Sequence, residues 1–163
     1  MTSAPRPAPG PPMLYFAYGS NLQRAGMGSR CPAAVPLGRA ALLGHALLFR
    51  SWADVEPRPG WSVAGALWRI TPACLAALDD YEDVDAGLYR RVTLPVRPEG
   101  APEDVEALVY RMAASHAAAP EPGYLAIVRE GCRDFGIDDA PVLLAAGSAG
   151  EGPSPYSRCG SAR

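Results

Sequence analysis

Three things are scarce in this chain of 163 residues: charge of one sign, long apolar runs, and closely spaced cysteine or histidine. The formal net charge is −2 and no block of like charge occurs, which argues against nucleic acid and an anionic membrane surface as partners. The longest apolar runs, such as residues 40–49, are too short to span a bilayer. These absences predict a protein that binds neither nucleic acid nor membrane.

The cysteines do not form a recognisable site. They are widely scattered, at Cys31, Cys74, Cys132 and Cys159. No pair has the spacing typical of zinc ligands, and the two histidines, His45 and His116, are far apart, so we expect no metal. No cysteine lies in a turn beside a candidate base, which disfavours a cysteine nucleophile. Reduced thiols, some of them buried, are typical of a cytoplasmic protein.

The ends of the chain differ in composition from its middle. Residues 1–12 are rich in proline and alanine and lack the hydrophobic segment of a secretory signal, so we expect a disordered leader. Residues 147–163 are rich in glycine, serine and proline, which predicts a flexible tail. Residues 13–146 remain as one domain, long enough to bury a real core. We expect the protein in the cytoplasm.

Short strands and helices alternate along this domain. Strands are predicted at 13–17, 39–50, 61–70, 89–96 and 105–111. Helices are predicted at 72–80, where Thr71 and Pro72 supply a start signal, and at 122–135, with a short helix or coil at 140–146. Irregular structure is predicted at 23–36 and a loop at 51–61, because glycine and proline recur there. Apolar residues on both strand faces favour a closed or nearly closed sheet with helices outside, an α+β domain.

The most informative segment is residues 14–22, Leu-Tyr-Phe-Ala-Tyr-Gly-Ser-Asn-Leu. A short apolar strand runs directly into a turn made of Gly19, Ser20 and Asn21, residue types that tolerate unusual backbone angles. The backbone N–H groups of such a turn can converge on a concavity that binds a carboxylate or an oxyanion. Taken alone, the triplet more often marks a turn without a ligand.

Two later segments add candidate side chains. Residues 78–89, Leu-Asp-Asp-Tyr-Glu-Asp-Val-Asp-Ala-Gly-Leu-Tyr, place Glu82 just past the end of the helix predicted at 72–80. Residues 120–124, Pro-Glu-Pro-Gly-Tyr, open the last long helix. Taken alone, Glu82 would be one more solvated acid of an acid-rich run, and Tyr124 equally well a core residue of its helix. Tyr89 begins a strand, where aromatic residues are common.

Together these segments, in this order and spacing, resemble the signature of the γ-glutamylcyclotransferase family. The resemblance spans Tyr15 to about Ile137 and implies a small mixed β-barrel flanked by helices, with the site in a cavity at one mouth of the barrel. One residue departs from the pattern, because Asp83 stands where the family usually has glycine. Aspartate tolerates left-handed backbone, so the turn can survive, and a second carboxylate beside Glu82 can raise the pKa of either group.

The resemblance also implies an activity. A γ-glutamyl amino acid or amine closes on itself through its own α-amino nitrogen, which releases the amine and forms 5-oxoproline without a cofactor. Glu82 is the expected general acid and base. The expected substrate-binding residues are Tyr15, Phe16, Ala17, Tyr18, Gly19, Ser20, Asn21, Tyr89 and Tyr124.

Two alternatives remain open on the sequence. The same chemistry could remove a γ-glutamyl protecting group in a biosynthetic pathway, in which case only the residues around the leaving amine would differ. A non-catalytic member of the fold would instead bind a small ligand, and Asp83 is the one feature in its favour. In each case the partner is a small molecule, and the oligomeric state is left open, a homodimer included.

Overall fold

The computed structural model describes residues 13–113 and 116–150. The predicted leader, residues 1–12, and residues 151–163 of the predicted tail lie outside this part of the chain. The strands are β1 (Met13–Ala17), β2 (Val35–Arg50), β3 (Trp52–Ile70), β4 (Tyr89–Pro98) and β5 (Val105–Met112). The helices are α1 (Arg24–Arg30), α2 (Pro72–Tyr81), α3 (Pro122–Asp134) and α4 (Ala140–Gly150), and a 3-10 turn covers Ser20–Leu22.

The strands form a closed barrel in the order β1–β3–β2–β4–β5. The barrel is mixed, because β5 closes against β1 in parallel through Leu108 and Tyr15, whereas the other neighbours are antiparallel. The core includes Phe16, Phe49 and Tyr110, each almost completely buried. This confirms the predicted α+β fold, a small mixed β-barrel flanked by helices.

Two predicted irregular segments are ordered. Residues 24–30 form α1 despite the glycines in it, because Met27 is fully buried on one side of this short helix. The predicted loop 51–61 is wrong as well. It is the first part of β3, which follows β2 after a tight turn at Ser51, whose φ is 67°.

The prolines that suggested a loop lie at an irregularity in this hairpin. Leu43 pairs with Ser62, but His45 pairs with Pro57, so residues 58–61 oppose Gly44 alone. Proline is tolerated at such bulges because the ladder hydrogen bonds are already interrupted there. The hairpin therefore continues past the bulge to its tip at Ser51 and brings Trp52 and Ala53 to the end of the barrel.

The helices mostly agree with their sequence signals. The Thr71 hydroxyl accepts a hydrogen bond from the Cys74 N–H at 3.2 Å, which is the predicted N-cap of α2. On α3, Val128 and Cys132 are buried as expected, whereas Ile127 of the predicted apolar stripe is exposed. Helix α4 continues to Gly150, four residues past the predicted domain boundary at 146. No helix in the described part of the chain is long and apolar enough to cross a membrane.

Candidate active site

A cavity of about 190 Å³ opens at the end of the barrel where β1 and β5 finish and β4 begins. Most of the predicted site residues line it, and these are Tyr15, Tyr18, Gly19, Ser20, Asn21, Glu82, Tyr89 and Tyr124. Phe16 and Ala17 do not line it, because both are completely buried in the core behind this wall. Strand alternation explains Phe16, whose side chain faces away from those of its neighbours in β1.

The carboxylate of Glu82 is delivered to the cavity by the end of α2. Glu82 is the C-cap residue of this helix, and its N–H donates to the Leu78 carbonyl at 2.8 Å. The next N–H groups fold back as well, from Asp83 to Asp80 at 3.2 Å and from Val84 to Asp79 at 3.0 Å. This is the Schellman arrangement of a helix C-terminus.

That arrangement requires left-handed backbone at the residue after the cap. Asp83 occupies the position with φ of 50°, where glycine is the usual choice. Aspartate is one of the residue types that adopt this conformation with little strain. The turn predicted to survive the replacement of glycine is therefore formed, and it fixes the backbone of Glu82.

Asn21 holds the Glu82 side chain in place. Its amide nitrogen donates to Glu82 Oε1 at 2.9 Å and to the Tyr15 hydroxyl at 3.0 Å. Its amide oxygen accepts two hydrogen bonds from the Arg30 guanidinium, at 2.7 and 3.1 Å. Because Arg30 can only donate, it fixes the orientation of the amide, and the donating end must face Glu82. The sequence predicted Asn21 as part of a ligand-binding turn, whereas its side chain contacts the predicted acid.

The environment of Glu82 raises its pKa to about 7. Burial in the cavity wall is the largest cause, because it disfavours the charged carboxylate, and Asp83 adds a repulsive negative charge. The Arg30 guanidinium and the Asn21 hydrogen bond act in the opposite direction. A carboxyl group with a pKa near neutrality can both accept and return a proton at physiological pH.

Two tyrosines of the cavity, Tyr89 and Tyr124, hold the tip of the β2–β3 hairpin, and a third, Tyr18, bonds to β5. Tyr89 donates its hydroxyl hydrogen to the Ala53 carbonyl at 2.6 Å, and the Ala53 N–H donates to the Tyr124 hydroxyl at 3.1 Å. Tyr18 donates to the carbonyl of Tyr110. Burial raises the pKa of these phenols well above the usual value, so they stay neutral. They shape the wall of the cavity and carry no charge.

Gly19 lies against this hairpin tip. A Cβ atom on Gly19 would stand 3.1 Å from Ala53 Cβ and 3.2 Å from the Tyr124 hydroxyl oxygen. Any larger side chain would therefore project into the cavity wall. The N–H groups at the start of the adjoining 3-10 turn have no partner within it, as at any helix start, and they belong to the residues that line the cavity.

Several lining residues escaped the sequence prediction. They are Trp52, Ala53, Tyr81, Asp83, Leu88 and Tyr110. The hairpin tip carries no local signal of function, because only the tertiary fold brings it to the barrel end. The sequence could have indicated Tyr81, because it adjoins Glu82. Its hydroxyl oxygen lies 3.0 Å from Ser20 Oγ. Within residues 13–113 and 116–150, no group of histidine, cysteine and carboxylate side chains could hold a metal ion.

Comparison with known proteins gives consistent matches. The family model described as gamma-glutamyl cyclotransferase, AIG2-like, matches residues 15–128. The gamma-glutamylcyclotransferase of Homo sapiens is 30% identical over 136 residues, which are 76% of this chain and 72% of that protein. The Bos taurus protein of the same name is 29% identical over 140 residues, 78% of this chain and 74% of the relative.

Solved structures agree with the sequence matches. A structure of a gamma-glutamyl cyclotransferase superposes with a TM-score of 0.73 at 26% identity, covering 93% of this chain and 94% of the other. The crystal structure of an uncharacterized protein from Homo sapiens superposes with a TM-score of 0.71 at 27% identity, over 92% and 94% of the two chains. The similarity therefore extends over the barrel and the helices around it.

Proposed function

The chain belongs to the gamma-glutamyl cyclotransferase, AIG2-like family, and we propose that Glu82 is the acid–base residue of its cyclotransferase reaction. The enzyme is γ-glutamylcyclotransferase-like, as the curated relatives indicate. The observation that carries the proposal for Glu82 is its setting. The carboxylate is half-buried, lines the cavity beside the Gly19 turn, is oriented by Asn21, and has a pKa of about 7.

The substrate supplies both reacting groups. Its α-amino nitrogen attacks its γ-carbonyl carbon, a C–N bond closes the five-membered ring, and the C–N bond to the leaving amine breaks. The attacking amine must first be neutral, and after attack it must lose a further proton. Ionised Glu82 accepts this proton and returns it to the leaving nitrogen, so no water, cofactor or enzyme nucleophile is consumed. Holding the chain in a bent conformation adds the benefit of proximity.

The Gly19–Asn21 turn is the proposed anion site. Charge builds on the γ-carbonyl oxygen in the transition state, and preorganised N–H donors stabilise it, each by roughly 3 kcal/mol. The turn supplies such donors at the cavity wall, and Gly19 leaves room for a ligand to approach the backbone. We propose that the turn binds both the α-carboxylate of the substrate and the oxyanion that develops on its γ-carbonyl.

The remaining predicted residues receive smaller roles. Tyr89 and Tyr124 orient the hairpin tip that closes one wall of the cavity. Phe16 and Ala17 act only by supporting that wall from the core. We further propose a cytoplasmic enzyme, because the cysteines at 31, 74 and 132 are free and buried. That the protein binds no nucleic acid remains a prediction, and its oligomeric state, a homodimer included, remains open.

A non-catalytic binding protein is the weaker candidate. The sequence feature in favour of a binding protein was Asp83, because a displaced turn after Glu82 would misplace the Glu82 carboxylate. The turn keeps its helix-capping hydrogen bonds with Asp83 in place. Removal of a γ-glutamyl protecting group uses the same residues and differs only in the leaving amine.

Direct detection of 5-oxoproline tests the reaction. The purified protein is incubated with γ-glutamyl dipeptides and γ-glutamyl amines, and a protein-free sample measures spontaneous cyclisation. We expect 5-oxoproline in amounts equal to the amine released. Free glutamate in place of 5-oxoproline would indicate hydrolysis and contradict intramolecular aminolysis. Binding without either product would favour the binding protein.

A further inference from the structure

The cavity has a closed inner part and an open rim. Tyr15, Tyr18 and Asn21 of the inner part are buried, whereas Trp52 and Tyr81 of the rim are 45% and 41% exposed. Its volume of about 190 Å³ lies below the roughly 300–1,000 Å³ of pockets that enclose a whole drug-sized ligand. In the proposed reaction the glutamyl part lies at Glu82 and the Gly19–Asn21 turn, and we therefore place it in the inner part. The leaving group therefore extends over the rim.

No cationic side chain of the described residues lines the rim. The chain contains no lysine, and no arginine or histidine of the described residues lines the cavity. The Arg30 guanidinium does not line the cavity, and it is engaged by Asn21, to which it donates, and by the ring of the rim residue Tyr81, which it covers at 3.8 Å from the centroid. Arg91 pairs with Asp79 at 3.4 Å. A carboxylate on the leaving amine, as in a γ-glutamyl amino acid, would thus find no cationic partner among the described residues that line the cavity.

The rim does offer a negative charge and an aromatic face. Asp83 lines the cavity and is exposed, and its side chain makes no hydrogen bond or ion pair within the described residues. The Schellman turn fixes the Asp83 backbone at the rim, and the side chain is exposed there. Trp52 lines the same cavity from the hairpin tip, and tryptophan is the aromatic side chain that attracts cations most strongly.

We propose that the leaving amine carries a second, positively charged group, and that Asp83 and Trp52 select it. The inference rests on the proposed function, because it concerns the same cavity and the same bond. It narrows the substrate class to γ-glutamyl derivatives of diamines or of other amines with a remote cationic group. Leaving amines that carry a carboxylate and no such cation are disfavoured by Asp83.

Three probes of equal length test the charge preference. They are the mono-γ-glutamyl derivatives of 1,4-diaminobutane, pentylamine and 4-aminobutanoate, whose far ends are cationic, neutral and anionic. We expect kcat/KM to fall in that order, with the cationic probe at least about 10-fold above the anionic one. An exposed charge pair at contact changes affinity about 5-fold, and its sign reverses between these two probes. Equal values, or the reverse order, would overturn the proposal.

Variants of Asp83 and Trp52 test whether these two residues cause the charge preference. Asp83→Asn keeps a residue that accepts left-handed backbone and removes the charge, so the cationic-to-neutral ratio should fall about 5-fold. Using the ratio cancels any effect on the proton-transfer step, which both probes share. Trp52→Leu should lower the same ratio a few-fold. The matched control is Asp85→Asn, an exposed acid of the same turn that does not line the cavity, which should keep the wild-type ratio. An unchanged ratio in both Asp83→Asn and Trp52→Leu would contradict the assignment.

The two proposals fail in different ways. Release of 5-oxoproline from any probe upholds the reaction, whichever probe reacts fastest. If the folded protein releases none, the reaction fails, and calorimetric titration of the wild-type protein with the cationic and anionic probes then decides the inference. Tighter binding of the cationic probe supports it, and equal or weaker binding overturns it.

Discussion

Helices α2 and α3 end in the same backbone motif but use it differently. At the end of α3 the capping residue is Phe135, and Gly136 follows with φ of 66°. The N–H groups of Gly136 and Ile137 fold back to Arg133 and Cys132, at 3.2 and 2.8 Å. The two corresponding N–H groups at the end of α2 do the same. Two identical turns therefore present two different side chains at the capping position.

The side chains at the two capping positions, Phe135 and Glu82, have different environments. Phe135 is buried, packs edge-on against Trp68 with ring centroids 5.7 Å apart, and is covered by the Arg24 guanidinium. Glu82, in contrast, faces a cavity and has a strongly raised pKa. The α3 end uses glycine at the left-handed position, which is the most stable choice, whereas the α2 end uses Asp83. The comparison teaches that the second turn is not optimised for stability alone.

The largest expected effect on stability is at the α3 end. Phe135→Ala should lower the free energy of unfolding by about 3–5 kcal/mol, because it removes a buried ring and leaves a cavity. Phe135 does not line the site, so kcat per folded molecule should stay within a few-fold of wild type. Urea unfolding and 5-oxoproline release measure the two quantities. A loss of activity without a loss of stability would break the distinction between the two helix ends.

At the α2 end, ionisation of Glu82 should lower stability. Its pKa is about 7 in the folded protein against 4.5 for the unperturbed group, so the folded state holds the proton more tightly. The contribution of Glu82 to stability is then fully present below about pH 4.5 and is lost as the pH rises through 7, a fall of about 3 kcal/mol. Glu82→Gln should remove this fall.

Denaturant unfolding at pH 5 and pH 8.5 measures the effect. The variant should be more stable than wild type at pH 8.5, and the difference should shrink towards pH 5. A variant less stable than wild type at pH 8.5 would show that the charged form of Glu82 is stabilised in the fold, which contradicts the raised pKa.

Asn21 connects the α2 end to the turn after β1. Asn21→Leu removes the donor to Glu82 and leaves the Arg30 guanidinium without its acceptor. We expect kcat to fall by roughly 10- to 100-fold, the size of one or two lost hydrogen bonds to charged groups. The pH at which activity rises should also move upward, because the Asn21 hydrogen bond lowers the pKa of Glu82. A pH profile identical to wild type would mean that Asn21 does not act through Glu82.

The smallest expected effects are opposite changes in stability at the two positions with left-handed backbone, Gly136 and Asp83. Gly136→Ala should cost about 1 kcal/mol, because a Cβ atom disfavours φ of 66°. Asp83→Gly should stabilise the protein by up to about 1 kcal/mol for the same reason. Thermal unfolding of both variants beside wild type checks the signs. If Asp83→Gly were destabilising, Asp83 would have a structural contact that the fold does not reveal.

The sequence predicted these two helix ends well because both depend on local signals. Thr71-Pro72 marks the start of α2, Gly136 marks the stop of α3, and the acid run places Glu82 one residue past its helix. The barrel followed from apolar residues on both strand faces and from the resemblance to a family. Local chemistry and chain order were sufficient for these features.

The missed features depend on tertiary contacts. Helix α1 contains two glycines, and its order comes from burial of Met27, which no local pattern announces. The hairpin tip was predicted as a loop because Pro57 and Pro59 lie beside a bulge, and its position at the cavity is fixed by Tyr89 and Tyr124 from distant parts of the chain. The rim residue Trp52 was missed for that reason.

The most direct test of the central claim compares Glu82→Gln with Asp80→Asn, an exposed acid on the same helix that does not line the cavity. The measurement is the rate of 5-oxoproline formation at saturating substrate, with ligand binding followed by calorimetry in the same samples. If Glu82 transfers the proton, Glu82→Gln should lose at least about 100-fold in rate while it still binds substrate, and Asp80→Asn should match wild type. A Glu82→Gln variant that keeps more than about a tenth of the wild-type rate would contradict the assignment of Glu82 as the acid–base residue.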